Sequence, residues 1–149
     1  MKITKIIQWD MGHRILNHRS VCKGLHGHRY KAEITVEGDL VNASSTSEYG
    51  MVMDFADIKK IAKKEVHDKL DHGFMVWDKD EELINFFKNS EGHKMVKVTF
   101  TSTAENVAKY IFENISKKFE DKYGTGLKLS SVKLWETPTS YVVYEGKSC

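Results

Sequence analysis

Hydrophobic and polar positions alternate without a break through residues 26–37, HGHRYKAEITVE. His26, His28, Tyr30, Ala32, Ile34 and Val36 fall on one side; Arg29, Lys31, Glu33, Thr35 and Glu37 fall on the other. A period of two predicts a half-buried strand of the antiparallel kind. An earlier strand runs from Ile3 to about His13, with Ile7, Trp9, Met11 and His13 sharing a face. The short gap between these strands makes them neighbours.

After Asp54 the period lengthens to that of a helix. Over FADIKKIAKKEVHDKL, Phe55, Ile58, Ile61, Ala62, Val66 and Leu70 form one stripe, with Asp54 as N-cap and Gly73 as the left-handed residue past the stop. A second helix follows Ser102, with Val107, Ile111, Ile115 and Phe119 buried and Gly124 closing it. Ser102 and Glu105 have the spacing of a capping box. LKLSSVKLWE and SYVVYE then read as two strands around Pro138, the only proline. The expected order is strand, strand, helix, strand-like stretch, helix, strand, strand. Helices gathered on one face of an antiparallel sheet define an α+β fold.

Composition narrows the function more than the fold. At 149 residues the chain is one domain, residues 1–149, large enough to bury a core without staples. A formal net charge of +2, with no long run of like charges, offers no footprint for nucleic acid or a membrane surface. MKITKIIQWD lacks the apolar core of a signal peptide, and no stretch approaches spanning length. The expectation is therefore a cytoplasmic protein whose cysteines, Cys22 and Cys149, are reduced, with Cys149 in solvent.

The candidate chemistry gathers around VCKGLHGHRY, residues 21–30. His26 and His28 project from one strand face, and His13 on the neighbouring strand completes a set of three imidazoles. Zinc takes such a set at about 2.0–2.1 Å per bond and keeps a fourth position open in catalytic sites. A bare H-x-H pair is also compatible with ordinary packing, and His18, His67 and His93 have no comparable setting. Cys22 precedes the histidine strand beside Lys23, where positive charge favours the thiolate. That thiolate is either a fourth ligand or a base held off the metal; spacing leaves both open. KLDHG, residues 69–73, places Asp71 beside His72. Adjacent helical residues do not face each other, so the helix must break there for Asp71 to orient His72; otherwise His72 simply sits at the helix dipole. Glu136 continues the apolar face of Val132 and Leu134, so its carboxylate either faces a pocket or reaches water at the strand end. In a pocket it suits the paired N–H groups of a pterin or guanine edge.

Together these residues resemble the 6-pyruvoyl-tetrahydropterin synthase family, including its bacterial 6-carboxytetrahydropterin synthase branch. The resemblance rests on GHR at His13, C-x-x-x-H-G-H from Cys22 to His28, MVMDFADIK, LDH, STAEN and WETPTS, in family order over most of the chain. It implies the tunnelling fold: a four-stranded antiparallel sheet with two helices on one face, three sheets closing a barrel, and two trimers stacking as a homohexamer with sites between subunits. It implies zinc on His13, His26 and His28, Cys22 as general base, and Asp71 and His72 as its proton relay. Glu136 would anchor the pterin, with Ser102, Thr103 and Glu105 lining the ring pocket.

The implied substrate is 7,8-dihydroneopterin triphosphate. Three residues between the cysteine and HGH resemble the carboxy-producing branch, a step toward queuosine and other deazapurines. The pyruvoyl-producing reaction is the alternative, and a non-catalytic oligomeric module with Cys22 closing the zinc site is a third. WDMGH, HGFMVWDKDEE and the lengthened 88–98 segment depart from the family pattern without removing a site position. No triphosphate-binding residue stands out among Arg14, Lys23 and Arg29.

Overall fold

A computed structural model describes residues 1–124 and 126–146; the expectation for Cys149 lies outside them. The first two strands, β1 (Lys2–His13) and β2 (His26–Gly38), pair antiparallel from Lys2↔Glu37 to His13↔His26. Their alternation does what the pattern predicts. Trp9, Met11 and His13 of β1 are buried, as are Tyr30, Ala32, Ile34 and Val36 of β2.

A helix α1 (Phe55–Ala62) runs on through a π turn (Lys63–His67) into a last short turn, α2 (Asp68–Leu70). Asp54 caps it, accepting the Ala56 N–H at 2.7 Å. Ile58, Ala62, Val66 and Leu70 face the sheet, whereas Phe55, at the first helical position, stays exposed. Then come β3 (Gly73–Trp77), α3 (Glu81–Lys88) and β4 (Lys94–Val98). The long helix α4 (Ala104–Tyr123) buries Val107, Ala108, Ile111, Ile115 and Phe119, and β5 (Leu127–Thr137) and β6 (Ser140–Tyr144) complete the fold. Gly124 closes α4 at φ 60°, as expected for a residue in the left-handed region.

The α+β class is as expected, but the sheet has six strands in the order β4-β3-β1-β2-β5-β6 rather than four. β3 and β4 extend the β1 edge, both in parallel. α3 is a third helix, absent from the expected order. It covers the added strands with a small core of Val76, Leu83 and Ile84, against which Phe74, Phe87 and Met95 pack.

Two local expectations need correcting. The left-handed residue after α2 is His72, at φ 56°, and not Gly73. Gly73 is required for space, since a Cβ there would lie 2.8 Å from Val96 Cγ2 on the neighbouring strand. The capping box does not form either. Thr103 is the N-cap of α4, accepting the Asn106 N–H at 3.4 Å, because the Ser102 hydroxyl is turned away to donate to the Arg14 carbonyl at 3.0 Å. Thr103→Ala is thus expected to lower stability by about 1 kcal/mol. Glu105→Ala, at an exposed position, should leave the denaturation midpoint where it was. Equal losses in the two variants would reinstate the box.

Candidate metal centre

The register of β1 on β2 builds the site. His13 pairs directly with His26, and Met11 with His28, so the last residue of one strand meets the first residues of the next. Gly12 and Gly27 lie between them, and a Cβ on Gly12 would overlap the Phe74 ring. One ring nitrogen from each of His13, His26 and His28 lies within 4.8 Å of the other two. The ring centroids are 4.5 to 5.2 Å apart.

Backbone carbonyls orient two of these rings. His13 Nδ1 donates to the Ser102 carbonyl at 2.8 Å, and His26 Nδ1 donates to the Gly24 carbonyl at 2.9 Å. A carbonyl only accepts, so each Nδ1 carries a proton, and in the neutral form of either ring the lone pair is on Nε2. His13 is buried, and burial pushes its imidazole below the usual histidine range; the Ser102 carbonyl opposes the shift, while His26 adds to it. A neutral imidazole with a free Nε2, held by a carbonyl on its other nitrogen, is the arrangement that metal-ligating histidines use. His13, His26 and His28 could therefore hold a metal ion, and their donor set fits zinc.

Glu136 stands beside this cluster. The alternation that buries Val132 and Leu134 also puts Glu136 on the histidine side, beside an irregularity in the β5–β6 pairing between Trp135 and Thr137. Its Oε1 is 3.7 Å from His13 Nε2 and accepts the Tyr30 hydroxyl at 3.4 Å. A cleft of about 470 Å³ opens next to it, bounded in part by His28, Lys31, Trp135 and Glu136. That volume lies in the range of small-molecule sites.

Asp71 and His72 meet as the broken helix requires. Asp71 is extended, at φ −60° and ψ 132°, and His72 turns left-handed. This brings His72 Nδ1 to 2.8 Å from Asp71 Oδ2, while the His72 N–H donates to the Asp10 carbonyl at 2.8 Å. Asp71 Oδ1 also accepts the Asp10 N–H at 3.1 Å. That backbone donor, followed by His72, holds the Asp71 carboxyl below the usual carboxylate range. The His72 side chain is 81% exposed, so its free nitrogen is open to solvent or to another molecule.

Cys22 sits in a short 3-10 turn, Val21–Lys23, and is half-buried. It is outside the close donor set of three histidines, and among the described residues no hydrogen bond links it to Asp71 or His72. Ser102 is buried, its carbonyl on His13 and its hydroxyl on Arg14, while Thr103 caps α4 and Glu105 is exposed.

Three further residues belong to this region. Tyr30, two positions along the face from His28, needed a partner for a buried hydroxyl; the alternation was its signal. His67 lies in the π turn, with Nε2 3.7 Å from Asp71 Oδ2, where the i, i+4 spacing was a weak hint. Arg14 pairs with Asp80, distant in sequence and unmarked by any local pattern.

Fold and site together define an α+β domain with a candidate metal centre at one end of its sheet. Residues 2–147 match the family model described as 6-pyruvoyl tetrahydropterin synthase. The chain is 37% identical over 147 residues to the 6-carboxy-5,6,7,8-tetrahydropterin synthase of Haemophilus influenzae, covering 97% of this chain and 98% of that one. It is also 37% identical over 142 residues to the enzyme of that name from Rickettsia felis, covering 95% and 98%. The 6-pyruvoyl tetrahydropterin synthase of Caenorhabditis elegans superposes with a TM-score of 0.67 at 26% identity, covering 99% of this chain and 96% of that one. An uncharacterized protein of Wolinella succinogenes shares the fold with a TM-score of 0.74 at 21% identity, covering 99% and 98%. The chain belongs to the 6-pyruvoyl tetrahydropterin synthase family and has its tunnelling fold.

Proposed function

We propose that this protein is a zinc-dependent 6-carboxy-5,6,7,8-tetrahydropterin synthase. It converts 7,8-dihydroneopterin triphosphate and water to 6-carboxytetrahydropterin, acetaldehyde and triphosphate, in the cytoplasm and on the route to queuosine. The observation that carries this reading is the three-imidazole cluster beside Glu136, in a chain 37% identical over nearly its full length to relatives of that name. The short C-x-x-x-H-G-H spacing supports the carboxy product over the pyruvoyl one.

His13, His26 and His28 hold the zinc. Bound there, the ion would polarise the side-chain hydroxyls of the substrate and acidify the neighbouring C–H positions. Glu136 accepts the paired N–H groups of the pterin, with Ser102, Thr103 and Glu105 around the ring. The Cys22 thiolate removes a proton from the substrate side chain. His72, oriented by Asp71 at 2.8 Å, carries a proton through its exposed nitrogen. We place the base and the relay in different copies of a homohexamer; that among the described residues no hydrogen bond links Cys22 to Asp71 or His72 is compatible with this arrangement. Exposed Ile6, Tyr141 and Val143, on the sheet face that the helices leave open, support burial between copies.

The test is product analysis of the metal-loaded protein with dihydroneopterin triphosphate. Acetaldehyde should appear in step with triphosphate. Triphosphate without acetaldehyde would indicate the pyruvoyl reaction. Release of neither, with zinc bound, would leave the non-catalytic module.

A further inference from the structure

Tyr30 is wholly buried, so its hydroxyl has no access to bulk water and must find its partner inside the protein. Two acceptors lie within reach: His13 Nε2 at 3.3 Å and Glu136 Oε1 at 3.4 Å. The phenol has one proton to give. His13 Nδ1–H is already committed to the Ser102 carbonyl, which leaves Nε2 as a lone pair able to accept. The phenol ring cannot move to favour one partner, because it stacks on Trp9 at 5.6 Å and meets the His28 and His13 rings edge-on at 5.7 and 6.0 Å. One fixed hydroxyl is therefore shared between a metal ligand and the carboxylate assigned to the pterin.

We propose that Tyr30 is a positioning residue that couples the metal site to the pterin anchor. With His13 Nε2 engaged by a bound ion, the Tyr30 proton has Glu136 as its remaining acceptor. The hydrogen bond to Oε1 then becomes undivided and charge-assisted. Glu136 is 26% exposed at a strand irregularity and would otherwise sample several orientations. Held through one lone pair of Oε1, the carboxylate keeps its other lone pairs for two N–H groups of a ring. Metal loading thus preorganises the ring site without touching the ring. Linkage makes the effect reciprocal, so a bound ring tightens the metal by the same factor. The inference rests on the pterin reading of Glu136 given above.

The probe is 7,8-dihydropterin without a 6-substituent, which has no side-chain hydroxyl to place on the metal. Its dissociation constant is measured by fluorescence titration on chelator-treated and on zinc-loaded protein, for the wild type and for Tyr30→Phe. In the wild type, zinc should tighten ring binding by about 10-fold, an ordinary size for coupling between sites. In Tyr30→Phe, with zinc stoichiometry kept, that ratio should fall to about 1. A chelator-competition titration of wild-type zinc affinity, with and without the ring, must return the same factor, and this arm does not depend on the variant's folding. An undiminished zinc effect in Tyr30→Phe, or ring binding to the wild type that ignores zinc, overturns the coupling while leaving the pterin reading in place. Failure of the wild type to bind the ring in either state removes the pterin reading, and the coupling with it.

Discussion

Cys22→Ala is expected to keep its zinc and to lose about 10²–10⁴-fold in turnover, the range that a positioned general base supplies. The two possible roles of this thiol predict different metal contents for the variant. The donor atoms that cluster within 4.8 Å belong to His13, His26 and His28, and Cys22 is outside that set. Its structural role is carried by the backbone: the Cys22 carbonyl accepts the Ile15 N–H at 2.8 Å, a contact that alanine preserves. The substitution therefore removes the thiol with little disturbance to the turn. Metal analysis by atomic emission, set beside steady-state rates, reads out both halves of the expectation. Zinc lost together with activity would make the thiol a ligand and favour a closed structural site.

Much of this arrangement was legible because strand alternation fixes direction. On β2 the parity that buries Ala32, Ile34 and Val36 also sends Tyr30, His28 and His26 to the same side. Antiparallel pairing with β1 then brings His13 opposite His26. The break at Asp71 was legible only as a condition. Two neighbours on a helix cannot face each other, so the chain had to leave the helix there if Asp71 was to orient His72, and a His72 sitting at the helix dipole stayed open. The placement of the left-handed residue was not legible, because Gly73 carries the usual glycine signal while the steric demand of Val96 on Gly73 appears only when β4 is in place. One strand-like stretch was expected where β3, α3 and β4 stand, because each of these elements is short. β3 buries both Met75 and Val76, breaking alternation, and α3 has only eight residues, although Asp80 followed by Glu81 and Glu82 is a helix-start signal. Contacts between distant segments left no trace in spacing. The Ser102 carbonyl on His13 and the Arg14–Asp80 pair are of that kind.

That pair carries the largest expected effect on stability. Arg14 follows His13 directly, and its guanidinium donates to both oxygens of Asp80, at 2.7 and 2.6 Å. Asp80 also accepts the Leu83 N–H at 3.2 Å as the cap of α3. Both side chains are nearly buried, at 11% and 3% exposure. Removing one member of such a pair leaves the other charge desolvated, at a cost of about 3–5 kcal/mol. Glu82, exposed but 2.7 Å from Arg14, remains as a partial substitute and sets the expectation for Asp80→Ala at about 3 kcal/mol, the lower end of that range. In a domain of this size that corresponds to a fall of about 6–12 °C in Tm. The pH dependence follows from the same contacts. Hydrogen bonds from Arg14 hold the Asp80 carboxyl below the usual carboxylate range, against the opposing effect of burial. Its contribution is therefore complete above the unfolded value of about 3.9 and is lost as pH falls through the lower folded value. Asp80→Asn, which keeps the shape of the cap, should show a shallower loss of stability in that acid window than the wild type. Denaturant titrations from neutral pH down through the window test this, and parallel acid profiles for the two proteins would show that the Arg14–Asp80 charge pair does not stabilise the fold.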